Sequence, residues 1–336
     1  MKLSVDKIRE ITVGAVRVYE ENGAAQLSRF SEAENEFYKK RSDDFYMKSL
    51  ASSGMRFRFK TNSETLFISA DMALGSSRRY FSFDVFVNGE CVGYLDNFSD
   101  VDIPPMFSTL KVPLGEHSKS FVLGEGEKEV EVYLPWSSKT TIKEISIDDG
   151  SYVKGVKRDK ILLVYGDSIT QGYDALRPSN RYISRVCDAL GYDETNKAIG
   201  GEVFCSALAS LESGVEPDAI VVSYGTNDWN RTTVEKFRER SRGFFENLRA
   251  GYPDIKIFAI TPIWRKDTLP ERQFGDFLTV PDYIREAVEG LDVEVVYGYD
   301  LVPHDEMLFG DLRLHPNDEG FEHYAENLLD KIKQKI

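Results

Sequence analysis

Ser168 is the residue in this chain whose setting most needs explaining. The stretch Ile161–Gly172 reads ILLVYGDSITQG: an apolar run that suits a buried strand passes straight into Gly-Asp-Ser. A strand interior has no use for that tripeptide, whereas a reactive serine at the exit of a central strand does. A serine hydroxyl is a poor nucleophile at neutral pH. It needs a base within hydrogen-bond reach and donors for the oxyanion of a tetrahedral intermediate. The chain has four histidines, His117, His304, His315 and His323. His315, in DLRLHPNDEG, stands out: Pro316 pushes its predecessor towards extended geometry, and Asn317 or Asp318 can cap the helix that follows, so the imidazole projects from a fixed loop. Asn227, in IVVSYGTNDWN, again follows an apolar run and could donate its amide N–H to an oxyanion. Gly200 and Gly201, in NKAIGGEVF, allow a close backbone approach, so that an N–H can point into a site.

Positioning such groups requires a scaffold, and the chain shows two textures. Up to about residue 150 the pattern is short and alternating. MRFRFKTNS puts Met55, Phe57 and Phe59 on one face and Arg56, Arg58 and Lys60 on the other. Val130, Val132 and Leu134 alternate with Glu129, Glu131 and Tyr133, and Asn88-Gly89 reads as a hairpin turn. This predicts an antiparallel β-sandwich over residues 1–150, with residues 31–42 as a short polar helix or loop. From residue 158 to 336 apolar strands alternate with amphipathic helices. Strands are predicted at Ile161–Tyr165, Ala219–Tyr224, Lys256–Thr261 and Val293–Tyr297. Helices are predicted at Arg181–Leu190, Val234–Ala250, Pro281–Glu289 and Glu319–Ile332. The class is α/β, with a parallel sheet between two helical layers, and such sheets hold ligands outside the carboxyl ends of their strands. Ser168 falls there.

Taken singly, each stretch is an ordinary turn or cap; their order is not ordinary. Gly166-Asp167-Ser168, Gly201, Tyr224-Gly225-Thr226-Asn227-Asp228 and His315-Pro316 resemble the four blocks of the SGNH superfamily, also called GDSL hydrolases, over about half of the chain. The resemblance implies a three-layer α/β/α fold and a serine ester hydrolase that needs neither metal nor organic cofactor. Ser168 would be the nucleophile and His315 the general base. The Ser168 N–H, the Gly201 N–H and the Asn227 side chain would form the oxyanion hole. One departure stands out. The family usually carries aspartate three residues before the histidine, where this chain has Leu312. Asp311 could still reach the imidazole if the loop bulges by one residue; otherwise a backbone carbonyl or Asp305 would orient His315 and the site would be a Ser–His dyad.

An all-β region (jelly-roll-like) ahead of an SGNH domain is similar to the layout of family 2 carbohydrate esterases. That implies removal of acetyl groups from carbohydrate. Candidate substrate contacts are Asp167, Trp229, Trp264 and Arg265, and the aromatics Tyr80, Phe81, Phe83, Phe86 and Trp136 could form a sugar platform. No long apolar lid is visible, which favours a small acyl group. The alternatives are a short-chain carboxylesterase or thioesterase of non-sugar substrates, and a non-catalytic carbohydrate-binding protein.

The 336 residues are 41% hydrophobic and 29% charged, as in ordinary globular proteins, with a net charge of −14. No basic face suited to nucleic acid stands out, and the acidity favours a neutral or cationic small partner. The expected partner is a small-molecule or oligosaccharide ester. Cys91, Cys187 and Cys205 are scattered and suggest reduced thiols. The N-terminus is charged without an apolar run after it, and no stretch could span a membrane, so a cytoplasmic location is expected unless a leader was removed.

Overall fold

The protein's structure, a computed structural model, describes residues 1–270 and 272–336. The N-terminal part is built from two antiparallel sheets. One runs in the order Arg17–Glu21, Ala24–Ser28, Ser138–Ile147, Thr65–Leu74, Gly115–Val122. The other runs Thr12–Val13, Arg56–Thr61, Lys128–Tyr133, Ser82–Val87, Glu90–Asp96, with Lys154–Gly155 also pairing on Arg56–Thr61. The inner faces meet in a single core. Phe57, Phe59, Val130 and Val132 from one sheet pack on Leu66, Ile68, Ala70, Ile142 and Ile145 from the other. The alternation that predicted these strands therefore marks the inward positions. Asn88 and Gly89 both have positive φ (51° and 86°), as a two-residue hairpin of the favoured twist requires.

The C-terminal part is a five-stranded sheet, all parallel, in the order Tyr192–Asn196, Lys160–Gly166, Ala219–Ser223, Lys256–Ile260, Val293–Val296. Successive residues of the Ser168 strand bury opposite ways. Leu162 and Val164 join a core with Ile183, Val186, Phe321 and Leu328, from the helices Tyr182–Leu190 and Asp318–Ile332. Leu163 and Tyr165 join another with Phe237, Phe244 and Ile284, from the helices Val234–Gly251 and Val280–Ala287. A strand buried on both faces has to read as a continuous apolar run, which is why it was visible in sequence. The predicted helices and strands are present with ends shifted by a residue or two.

Two features differ from expectation, and a third takes one of the two forms expected. Tyr192–Asn196 is a fully buried edge strand of the parallel sheet, although it carries Asp193, Glu194, Thr195 and Asn196. Its acids are matched by cations: Arg181 bonds both oxygens of Glu194, at 2.9 and 2.8 Å, and Arg58 bonds Asp193 at 2.7 Å. Arg56 and Arg58, on the face of their strand opposite Phe57 and Phe59, are buried for the same reason. Arg56 pairs with Glu131 and Asp188, and Arg58 with Glu131 and Asp193, which fixes the sandwich against the parallel-sheet half. Finally, residues 31–42 hold a helix, Glu32–Arg41, begun by a reciprocal capping box between Ser31 and Glu34. Its Tyr38 belongs to the same core as Leu163 and Tyr165.

Candidate active site

Ser168 opens a single helical turn, Ser168–Gln171, directly after the strand Lys160–Gly166. Asp167 is the cap: its carboxylate accepts from the Ile169 N–H at 3.0 Å. Gly166 has no room for a side chain, because a Cβ there would lie 2.5 Å from Thr170 Oγ1. The residue types of Gly-Asp-Ser are thus dictated by a strand that must turn abruptly into a helix. Gln171 ties this turn to its surroundings: its Oε1 accepts from the Gly200 N–H at 2.7 Å and its Nε2 donates to the Gly75 and Trp136 carbonyls.

The Ser168 hydroxyl lies 2.8 Å from His315 Nε2, and His315 Nδ1 lies 2.8 Å from Asp311 Oδ2. A carboxylate only accepts, so Nδ1 carries the proton, and neutral Nε2 is left to accept from the serine O–H. The route from Asp311 to His315 runs through Leu312, whose φ is +56°, a left-handed conformation that takes up the additional residue. The loop is held by Asp311 Oδ1, which accepts from the N–H groups of Arg313, Leu314 and His315. Burial works against ionisation of Asp311, yet the His315 ring and these N–H groups hold its carboxyl well below the usual range. Asp305 does not orient His315. Its side chain caps the 3-10 turn Glu306–Leu308 through the Met307 N–H. A second carboxylate, not foreseen, is near: Asp174 Oδ2 is 3.8 Å from His315 Nδ1. Asp174, Asp311 and His315 place three potential metal-ligand atoms within 4.8 Å of one another. Arg78, however, bonds both oxygens of Asp174, at 2.6 and 3.0 Å, so a cation there would meet a guanidinium already in place.

Donors for an oxyanion surround Ser168. Gly201 has φ +86° and its carbonyl accepts from Arg231 at 2.7 Å, while its N–H has no acceptor among the described residues. The Ser168 N–H is likewise unused, as expected of the first residue of a helical turn. Asn227 spends one amide hydrogen on the Glu202 carbonyl at 3.1 Å and keeps the other. Ser168, Gly201, Asn227 and His315 line one cavity of about 220 Å³. Such an arrangement can attack a carbonyl, stabilise the resulting oxyanion and return a proton to the leaving group. A larger open groove of about 760 Å³ between Ala209–Glu216 and Asn247–Tyr252 lies elsewhere and contains none of these groups.

Of the candidate substrate contacts, Arg265 lines the cavity, held by Asp267 and by the Thr226 carbonyl and hydroxyl. The other three do not. Asp167 is buried as a cap, and burial, only partly offset by the Ile169 N–H, raises its carboxyl to about 6. Trp229 is fully buried against Phe277, its indole N–H donating to the Gly275 carbonyl. Trp264 is stacked on His304 and packed on Phe309, outside the cavity. The proposed sugar platform is a correction as well: Tyr80, Phe81, Phe83 and Trp136 are interior, and the half-buried Phe86 packs on Tyr133. The N-terminal part does reach the site, through residues that stand in no motif. Lys48, Ser77 and Arg78 line the cavity together with Tyr173, Asn230, Arg231 and Arg313.

A parallel three-layer sheet carrying an aligned serine, histidine and aspartate at its carboxyl edge is the architecture of a serine ester hydrolase of the SGNH type. Residues 164–323 match the model of the GDSL-like lipase/acylhydrolase family. Solved structures extend the likeness over nearly the whole chain. A protein from Bacteroides ovatus described as a GDSL-like lipase has a TM-score of 0.77 at 21% identity, covering 99% of this chain and 97% of its own. The salicylyl-acyltransferase SsfX3 of a tetracycline biosynthetic pathway has 0.76 at 19%, covering 96% and 94%. The acetyl xylan esterase Est2A from the rumen bacterium Butyrivibrio proteoclasticus has 0.64 at 17%, covering 100% and 98%. At these identities the likeness is one of fold. No curated protein matches the sequence. Among the described residues, no helix is long and apolar enough to cross a membrane.

Proposed function

We propose that the protein is a serine esterase that removes short acyl groups, acetyl first, from carbohydrate. The observation that carries this reading is the 2.8 Å contact of Ser168 Oγ with His315 Nε2 inside a small cavity lined almost wholly by polar groups. His315 takes the Ser168 proton as Oγ attacks the ester carbonyl, and Asp311 steadies the imidazolium. The Ser168 and Gly201 N–H groups and the free Asn227 N–H receive the oxyanion. His315 then protonates the departing sugar oxygen as the acyl C–O bond breaks, and water, activated by the same imidazole, releases the acid from Ser168. Only Tyr173 and Leu314 offer the cavity much apolar surface, too little for a long acyl chain. Fold-level likeness to an acetyl xylan esterase supports the carbohydrate part by analogy.

The test is acetate release from 4-nitrophenyl acetate and from acetylated xylo-oligosaccharides, by wild type and Ser168→Ala side by side. Turnover of both that is lost in the variant supports the proposal. Turnover of the activated ester alone keeps the esterase and removes the sugar. A variant as active as wild type removes Ser168 as nucleophile.

A further inference from the structure

The chain and its cavity carry opposite charge. The whole protein is strongly acidic, at −14, and its composition points to a neutral or cationic partner. Yet among the described residues every charged side chain lining the cavity is basic: Lys48, Arg78, Arg231, Arg265 and Arg313, beside His315. Their carboxylate partners stand outside the lining. Asp174 bonds Arg78, Asp267 bonds both Arg265 and Arg313, and Asp44 bonds Lys48. Each ion pair thus turns its positive end inward. Arg231 has no carboxylate within 4.0 Å among the described residues; its one bond goes to the Gly201 carbonyl.

This lining suits a neutral sugar poorly. A hydroxyl both donates and accepts, and the acceptors that best receive sugar O–H groups are carboxylates. Here the lining of described residues offers guanidinium and ammonium donors in excess and no carboxylate, with the Ser77, Ser168 and Tyr173 hydroxyls, amide oxygens and backbone carbonyls to accept. Guanidinium groups match carboxylate, sulfate and phosphate in shape as well as charge. The buried Arg78 and Arg265 are pinned by bidentate pairs, whereas Arg231 and Arg313 are exposed at the mouth and able to close on a bound anion.

Resting on the esterase reading, we infer that the alcohol part of the substrate carries an anionic group, bound at the mouth of the cavity by Arg231 and Arg313. The bond cleaved is the same acyl C–O bond, and the anion takes no part in the chemistry. The acidic remainder of the surface repels polyanions at large, so that an anion is welcomed only where the arginines focus the field.

Matched esters test this: methyl glucopyranosides acetylated at one ring hydroxyl that differ only in bearing CH₂OH, carboxylate, 6-sulfate or 6-phosphate. At low salt the best anionic member should exceed the neutral one in kcat/KM by about tenfold or more, the range of a charge-assisted hydrogen bond, and the advantage should shrink in about 0.5 M salt. Arg231→Gln and Arg313→Gln should each cut the anionic-to-neutral ratio several-fold, with lysine at either position restoring part of it. The carboxylate, sulfate and phosphate arms identify the source of the charge. A ratio near one, or a ratio unmoved by both variants, overturns the inference. Binding of methyl glucuronide against methyl glucoside to the Ser168→Ala protein, by calorimetry, reads the same preference without turnover. It therefore separates failure of the anion site from failure of the esterase reading, which 4-nitrophenyl acetate reports independently.

Discussion

Asp174 Oδ2 lies 3.8 Å from His315 Nδ1, the same atom that donates to Asp311 at 2.8 Å. The imidazole thus faces two carboxylates of unequal standing. Asp311 makes the hydrogen bond, while Asp174 is spent on Arg78 and on the Tyr80 hydroxyl at 3.1 Å. Asp311→Asn should lower kcat for 4-nitrophenyl acetate by on the order of 10³–10⁴, since an amide N–H facing Nδ1 favours the wrong tautomer. Asp174→Asn should cost much less, because it leaves that bond intact. Equal losses in the two variants would mean that both acids orient the ring.

Asn227 and Gly201 are expected to act in the transition state rather than in binding. Asn227→Ala should reduce kcat by about 10²–10³ with little change in KM, the usual penalty for one oxyanion donor. Gly201→Ala should also lower kcat. Its φ of +86° is costly for alanine, and the new Cβ would stand 3.2 Å from the Arg231 guanidinium. A rise in KM with kcat unchanged in either variant would remove these donors from the mechanism.

What could be read in the sequence follows from where each interaction is made. The parallel strands announce themselves because burial on both faces demands an apolar run, as in Leu162–Tyr165. The nucleophile turn and the His315 loop are legible because their residue types answer to local backbone geometry. The strand Tyr192–Asn196 was hidden because its buried acids are satisfied by Arg58 and Arg181, and Arg58 lies 135 residues away. The cationic lining was hidden for a like reason: Lys48 and Arg78 come from the sandwich half, and an isolated lysine on a short helix or arginine in a loop carries no pattern. Trp229 and Trp264 misled because aromatics next to motif residues suggest a binding surface, whereas here they fill the space that holds the motif in place.

The helix Glu32–Arg41 is fastened to the parallel-sheet half by a buried ion pair, Glu34 to Lys197 at 2.5 Å, both side chains wholly inaccessible. Lys197 also donates to the Ser213 carbonyl at 2.7 Å. Burial, partly offset by Glu34, brings the Lys197 ammonium down to about 8. Glu34→Ala should destabilise the protein by about 3–5 kcal/mol, because it strands a buried cation. Replacing both partners, as Glu34→Leu with Lys197→Met, should recover much of that loss. Urea unfolding of the three proteins decides the matter. A single variant as stable as wild type would mean that water already solvates Lys197.

Asp228 gives the stability a pH dependence of predictable sign. It is buried, its Oδ1 accepts from the Phe204 N–H at 3.2 Å, and its Oδ2 has no partner among the described residues. Burial, with Asp167 and Glu202 close by, raises its carboxyl from the ordinary 3.8 to about 7 despite the Phe204 N–H. The folded chain therefore keeps this proton over an interval in which the unfolded chain has released it, so stability contributed here falls as pH rises from about 4 to about 7 and is level above that. Asp228→Asn keeps the acceptor for Phe204 and removes the titration. It also removes a negative charge beside Asp167, which reduces that group's own penalty in the same direction. The Tm of the variant should consequently gain on wild type between pH 4.5 and 7.5 and hold its lead to pH 8.5. A difference in Tm that stays constant from pH 4.5 to 8.5 would show that Asp228 titrates alike in the folded and unfolded chain.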